Sequence, residues 1–426
     1  MLRHLLLNLL IMGIVMCSVP SNLPAQGSAA AKPAGTPAPP PEAPVVPAES
    51  ELTLSAIEKA YEGTLPPESV KMLLAITRGS KMGPGEGWFG PADSRYSWKW
   101  LAERHGIAET DSIPADKFQG TELWFARLDR DKDGRITADD FDWSEKNPWV
   151  QQSYIVNRLF RKIETNGDGR LTRDEWMKFF DKAAGGQDFM VTENFRDALL
   201  GGNPGAFMAG DAPTKEMLIR GLFAGEVGSL NEGPKLDAQA PDFSLKTHDG
   251  QETIHLAELI GKKPVVITFG NFTCGPFRSM FPGVEEIHKR FADEATFIAV
   301  YVREAHPTDG WKMESNRRVG VAVAQPKTFA ERAVVATQCH ALLKPSMPLL
   351  VDEINDPVGS AYSGMPARLY VIDLDGKVAY KSGRGPFGFK SGEMEQALVM
   401  TLLDRTAPTV KAPAEKTAVE VNPNAK

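Results

Sequence analysis

Val265-Val266-Ile267-Thr268-Phe269-Gly270-Asn271-Phe272-Thr273-Cys274-Gly275-Pro276-Phe277 is a stretch in which an apolar, β-branched run gives way to a cysteine-bearing turn. The run reads as a strand. A helix-like segment follows from about Gly283 to Phe291. A cysteine where a strand turns into a helix sits at the positive end of that helix. There the unpaired N–H groups and the macrodipole favour the thiolate over the thiol. The stretch therefore predicts an attacking cysteine, weighed against a small buried hydrophobe. Cys274-Gly275-Pro276-Phe277 has the outline of a two-cysteine redox turn with Phe277 in place of the second thiol. A local disulfide is impossible, so an oxidised Cys274 has to be resolved by Cys339, a second protein or a small thiol.

From Leu236 onward, strands alternate with helices. Pro241–Leu245, Val265–Gly270, Thr296–Val302, Leu349–Asp352, Arg368–Asp373 and Lys377–Lys381 read as strands, the last two joined by the turn Leu374-Asp375-Gly376. Helices fit at 283–292, 326–343 and 391–404. Strand–helix–strand, then a hairpin and a last helix, is a thioredoxin-like α/β arrangement. Met365-Pro366, just before a strand, fits the cis-proline that often sits opposite the attacking cysteine in that fold.

The middle of the chain carries a different signature. Asp129-Arg130-Asp131-Lys132-Asp133-Gly134-Arg135-Ile136-Thr137-Ala138-Asp139-Asp140 fits an EF-hand loop. Asp129, Asp131, Asp133, Thr137 and Asp140 offer side-chain oxygens, Arg135 stands at the carbonyl position, and Gly134 makes the sharp turn. The second loop, Glu164 to Glu175, offers Glu164, Asn166, Asp168, Thr172 and Glu175, with Arg170 at the carbonyl position. A hard cation needs six or seven converging oxygens, and this alternation supplies them. Asp140 is one methylene shorter than the usual glutamate, and Glu164 one methylene longer than the usual aspartate. The alternative reading of each loop is a solvated acidic turn. The expectation is weak, structural Ca2+ binding at both, in a pair joined through Ile136 and Leu171. Phe125, Phe141, Phe160 and Trp176 are expected in the helices that flank the loops. The stretch from Asp181 to Phe195 lacks the ligand alternation and carries no site.

Outside these regions the sequence sets bounds. Residues 1–25 hold Arg3, His4 and an apolar run from Leu5 to Val19, which reads as a signal peptide or an N-terminal anchor. Residues 26–50 are an Ala/Pro-rich linker, 51–235 a helical domain with the EF-hand pair, 236–405 the α/β domain, and 406–426 a disordered tail. Three cysteines in 426 residues are too few for a disulfide scaffold. A net charge of -7 without a basic block argues against nucleic acid. The predicted location is secreted or periplasmic.

The C-terminal part resembles a named family. Tyr301-Val302-Arg303-Glu304-Ala305-His306-Pro307-Thr308-Asp309-Gly310-Trp311, Pro366-Ala367-Arg368-Leu369-Tyr370-Val371-Ile372 and Gly383-Arg384-Gly385-Pro386 resemble, in the same order, motifs of the iodothyronine deiodinases. The resemblance implies a thioredoxin-like domain whose selenocysteine, here Cys274, removes iodine reductively from a phenolic ring. It places Glu304 and His306 at catalytic positions and Arg384 at an acidic group of the substrate. From the residues themselves, Trp311 reads as a pocket wall or a core residue, and Pro366 as the cis-proline opposite the cysteine. The family's cysteine two positions earlier is Phe272, and its second histidine has no counterpart near Gln325-Pro326.

From the residues themselves, His306 is a proton donor suited to neutral pH. Glu304, two positions earlier on an expected strand, would share its face and orient it. Three functions follow. The first is a deiodinase-like thiol oxidoreductase with an external thiol or thioredoxin-type donor and a small-molecule substrate. The second is a peroxiredoxin-like thiol peroxidase, with Arg278 or Arg384 near the thiolate. The third is a non-catalytic calcium-dependent binding module.

Overall fold

The computed structural model describes residues 48–64, 66–80, 91–200, 213–228 and 230–406. The leader with Cys17, nearly all of the Ala/Pro-rich linker and the tail fall outside them. The strands are β1 (Asp93–Ser94), β2 (Ile113–Pro114), β3 (Arg135–Ile136), β4 (Ser244–Thr247), β5 (Thr253–His255), β6 (Val265–Gly270), β7 (Thr296–Tyr301), β8 (Leu349–Val351), β9 (Arg368–Ile372) and β10 (Val378–Lys381). In the first half, α1 (Ala48–Ala60) and α2 (Glu68–Thr77) flank the Pro66-Pro67 break. They are followed by α3 (Trp98–His105), α4 (Glu122–Leu128), α5 (Pro148–Ile163), α6 (Arg173–Ala184), α7 (Thr192–Leu200) and α8 (Lys215–Phe223). The second half holds α9 (Leu256–Leu259), α10 (Gly275–Phe291), α11 (Glu314–Arg318), α12 (Phe329–Leu343), α13 (Pro357–Ala361) and α14 (Ser391–Asp404).

β6 is the strand read from the sequence, and it lies inside the sheet. Every residue of it is buried, which is what an uninterrupted apolar run requires. It pairs parallel with β7 and antiparallel with β9, in a sheet ordered β1-β10-β9-β6-β7-β8-β4-β5. Helices on this mixed sheet give the thioredoxin-like α/β fold, preceded by the helical EF-hand region. The edge strand β1 comes from the N-terminal half and pairs antiparallel with β10. Residues from Glu49 onward belong to one compact unit, so the helical and α/β halves are packed together.

Two local expectations need correction. The helix after Cys274 starts at Gly275, not near Gly283, with Cys274 as its N-cap. Pro276 costs little there because first-turn amides have no intrahelical partner. The chain can turn so tightly because Gly270 ends β6: a Cβ there would lie 2.2 Å from the Phe277 ring.

The second correction concerns the EF hands. Ile136 does not pair with Leu171. β3 pairs instead with β2, Ile113 opposite Ile136. The partner of the first calcium loop is thus the turn between α3 and the short 3-10 helix Ala115–Lys117. That turn keeps the buried aliphatic residue of an EF-hand loop but not its alternating acids. The second loop is left to pack elsewhere, and it packs on α10.

Candidate active site and calcium loops

Cys274 closes β6 and opens α10, as the sequence implied, but its surroundings are drier than expected. The residue is 1% exposed. Burial pushes its thiol up to about 11, against the lowering influence of the Phe277 amide and the charges of Arg278 and Arg161. In this closed arrangement Cys274 is a protected thiol, which corrects the expectation of a thiolate. The helix terminus is present; desolvation outweighs it.

The chain around the sulfur is held by Asn271, Thr273 and Tyr301, to which the sequence reading gave no role, together with Glu304, His306 and Pro366, which it singled out. Asn271 Oδ1 accepts the Cys274 amide at 3.0 Å and the Ala305 amide at 3.2 Å, and its Nδ2 donates to Pro366 O at 3.1 Å. Met365-Pro366 is cis. Thr273 donates its amide at 2.9 Å and its hydroxyl at 2.7 Å to Glu304 Oε2. The same hydroxyl accepts the His306 amide at 3.0 Å. Tyr301 donates its hydroxyl to Glu304 Oε1 and accepts the Phe272 amide at 3.1 Å.

Glu304 therefore braces the residue before the cysteine rather than orienting the imidazole. β7 ends at Tyr301, so the shared-face argument for Glu304 and His306 does not apply. Burial raises the Glu304 carboxyl, despite the hydrogen bonds from Tyr301 and Thr273. His306 is half-buried. Its Nδ1 lies 3.0 Å from Trp311 O, and its ring meets the buried Trp311 edge-on at 4.7 Å. The signal for this network was the polar run Asn271, Thr273 and Cys274 at the end of an apolar strand.

Arg384 lies apart from these bonds. It is buried, pairs with Glu68 of α2 at 3.0 Å and donates to Ser363 Oγ at 3.0 Å. Glu68 also pairs with Arg368 at 3.2 Å. The acidic partner expected from a substrate is thus supplied by the chain itself. Cys339 is buried on α12 as a free thiol and is raised by that burial.

Arg278 is the strongest charge beside Cys274. It is 3% exposed and has no carboxylate partner among the described residues. Its guanidinium donates to Phe272 O, to Asn316 Oδ1 at 2.9 Å and to Gly167 O at 3.2 Å. Asn316 Nδ2 in turn donates to Thr273 O at 2.6 Å. Gly167 belongs to the second calcium loop.

The first calcium loop brings its acids together. Carboxylate oxygens of Asp129, Asp131 and Asp133 lie within 4.8 Å of one another, as ligands of one ion must. Asp140 accepts the amides of Arg130 and Thr137, both at 2.7 Å. In the second loop Glu175 accepts the amides of Thr165 at 2.9 Å and Thr172 at 3.0 Å. Glu164 accepts from Gly167 and from Asp168 at 3.1 Å, which uses its extra methylene to close the loop. Burial raises the Asp140 and Glu164 carboxyls, a cost that a bound divalent cation would relieve. The donor set of the first loop fits Ca2+ by its geometry, and the second loop matches an EF hand by its sequence.

Comparison with known proteins agrees with this division. The mixed sheet and the cysteine at a strand–helix turn define a thioredoxin-like α/β domain. Residues 216–401 match the family of iodothyronine deiodinases, and residues 121–142 and 156–180 match EF hands. A thyroxine 5-deiodinase of Gallus gallus is 29% identical over 46% of this chain and 72% of its own length. A type II iodothyronine deiodinase of Neoceratodus forsteri is 31% identical over 38% of this chain and 60% of its own length. The chain thus spans only part of these relatives. Among solved structures, a thiol:disulfide interchange protein from Chlorobium tepidum is 20% identical over 39% of this chain and 98% of its own, with a TM-score of 0.28. By its sequence, then, the C-terminal domain is similar to the iodothyronine deiodinases over residues 216–401, and this match follows two EF-hand matches in the same chain. No helix among the described residues is long and apolar enough to cross a membrane.

Proposed function

We propose that this chain is an extracytoplasmic, calcium-binding thiol reductase that uses Cys274 as its nucleophile, with reductive removal of halogen from a phenolic ring as its reaction. The observation that supports this most is the position of Cys274. It caps α10 at the carboxyl end of the central strand of a deiodinase-family domain, and its neighbour Thr273 is hydrogen-bonded to both Glu304 and the His306 backbone. The leader from Met1 to Ala25 supports the location. Recovery of the full, unprocessed chain from the cytoplasm would overturn it.

The chemistry balances as follows. Cys274 gives its proton to His306, and the sulfur attacks iodine. The S–I bond forms and the C–I bond breaks, leaving the electron pair on the ring carbon, which takes the proton from His306. Two equivalents of an external thiol then reduce the sulfenyl iodide, returning the Cys274 thiol and releasing iodide, a proton and a disulfide. Because the sulfur is buried, substrate entry has to displace the segment from Trp311 to Asn316, which hydrogen-bonds the Thr273 carbonyl. Calcium supplies a hard divalent charge that cross-links each EF-hand loop. The residues that would hold it are Asp129, Asp131, Asp133, Thr137, Asp140 and the Arg135 carbonyl in the first loop, and Glu164, Asn166, Asp168, Thr172, Glu175 and the Arg170 carbonyl in the second.

The test is iodide release from a labelled iodophenol or iodothyronine with dithiothreitol, run beside peroxide consumption. The expected result is iodide release that Cys274→Ser abolishes. Peroxide turnover without iodide release would replace this reading with a thiol peroxidase, for which the buried cation Arg278 beside the sulfur provides the specific support.

A further inference from the structure

Among the described residues the second EF-hand loop has no strand partner in an EF-hand pair, and the surface it does contact is the first turn of α10. Gly169, at the turn position of the loop, has φ +75, and a Cβ on it would lie 2.6 Å from Arg278 O and 2.8 Å from Ser279 O. Pro282 explains why the Arg278 carbonyl is exposed to such an approach. The residue four positions on has no N–H to offer it. Gly167 rests against Val319, just past α11, where a Cβ would come within 3.0 Å. Arg170 Nη2 donates to Leu343 O, at the end of the helix that carries Cys339, at 2.7 Å. Three successive parts of one calcium loop thus lie against three segments surrounding Cys274.

The contact with the largest chemical consequence is the one from Arg278 to Gly167 O. A buried guanidinium is costly without an anion. This one is held only by neutral oxygens: the carbonyl two residues before Cys274, the Asn316 amide oxygen and the calcium-loop carbonyl. We propose that Arg278 is a positioning residue for the Cys274 thiolate and that the Glu164–Glu175 loop holds it in place, so that Ca2+ at this loop raises the reactivity of Cys274. Resting on the assignment of Cys274 as nucleophile and of the loop as a calcium site, this goes beyond a structural role for the ion. Calcium fixes the loop backbone, including the Gly167 carbonyl between the ligands Asn166 and Asp168. Without it, the loop loses its internal cross-link and Arg278 loses one of its three anchors. Arg161, on the helix that enters the same loop, adds its positive field at the sulfur. The first loop has no such route: its strand runs beside Ile113.

The test uses the reduced full chain and iodoacetamide, whose iodide leaves as the Cys274 sulfur bonds the acetamide carbon. The alkylation rate at Cys274 is followed by peptide mass mapping from neutral to alkaline pH, with excess Ca2+ and with chelator. Calorimetry on the same protein reports calcium binding independently. With calcium the rate at a fixed pH should rise about tenfold, the pH midpoint falling by about one unit. Glu175→Gln should remove the response, and Asp129→Asn should keep it. Arg278→Lys, which keeps the charge but not the three-way fork, should lose the response while the cysteine stays reactive. An unchanged or slower rate on adding calcium, with calcium heat and Cys274 alkylation both present, overturns the coupling alone. Absence of calcium heat at the second loop overturns it through the calcium assignment. A Cys274 that resists alkylation at every pH overturns it through the nucleophile.

Discussion

The two calcium loops have nearly the same sequence pattern and opposite surroundings. The first, Asp129 to Asp140, finds its strand partner in the turn at Ile113, and its exit leans on α14 through Asp140 O and Gln396 Nε2 at 3.1 Å. The second, Glu164 to Glu175, docks on the helix that presents Cys274. The difference lies in partners, not ligands. An EF-hand loop has one aliphatic residue whose backbone seeks a neighbour. Once Ile136 takes Ile113, Leu171 must do without, and the loop's outer face becomes available to the catalytic half. A motif can thus be read from its own residues, while its role depends on the element that reaches it first.

The largest effect that sharpens this comparison is chemical. Cys274→Ser should lower thiol-dependent turnover at least about a thousandfold, with calcium binding at the first loop unchanged by calorimetry. Ile136→Ala, in the pair that only the first loop makes, should cost about 3 kcal/mol in urea unfolding, because the side chain is fully buried. It should not alter the alkylation rate of Cys274. If it did, the first loop would be coupled to the site as well and the contrast would break.

The alkaline limb of stability offers a third measure. Burial raises the Cys274 thiol from 9.0 to about 11, so the folded protein holds that proton more tightly than the unfolded chain. This contribution is fully present below pH 9 and is lost as pH rises toward 11, about 3 kcal/mol in all. Cys339 and the buried tyrosines add terms of the same sign, so the Cys274 share is the difference between wild type and Cys274→Ala. A difference that does not change across this window would mean that the sulfur is solvated in solution.

How much of this was legible beforehand differs between the site's parts. The strand–helix turn at Cys274, the thioredoxin-like order of elements and both calcium loops could be read because each is encoded within a dozen neighbouring residues. The tie between Glu68 and Arg384 joins positions over 300 residues apart, and no local pattern marks it. The turn at Ile113 was missed because Gly106 to Lys117 lacks the acids that make an EF-hand loop recognisable, while retaining its buried aliphatic residue. The burial of Cys274 was missed for a related reason. A helix terminus argues for a thiolate, but the desolvation that outweighs it comes from segments distant in sequence, among them the one with Asn316, which bonds the Thr273 carbonyl.

The glycine at the turn of each loop tests the docking directly. Gly134 and Gly169 occupy equivalent positions with φ +87 and +75, so alanine strains both backbones by about 1 to 2 kcal/mol. Nothing lies within 4 Å of a Cβ at Gly134, whereas one at Gly169 meets the backbone of α10. Gly169→Ala should therefore cost about 2 kcal/mol more than Gly134→Ala. Equal costs would mean that the second loop stands clear of α10 in solution.

The smallest effect lies at the ninth and twelfth positions of the loops. Thr172 accepts the Glu175 amide at 3.3 Å while Glu175 accepts the Thr172 amide, so a complete capping box starts α6. In the first loop Asp140 accepts from the Thr137 amide and hydroxyl at 2.7 and 3.1 Å, but the following 3-10 turn has Ala138 at its N-cap and no side-chain cap. The shorter carboxylate and the lost cap go together, because a three-residue turn needs fewer amides satisfied than a twelve-residue helix. In chelator, Thr172→Ala should cost about 1 kcal/mol and Thr137→Ala a few tenths, measured by urea unfolding. The reverse order would place the firmer loop at Asp129–Asp140, leaving the loop against Cys274 too slack to hold Arg278 without its ion.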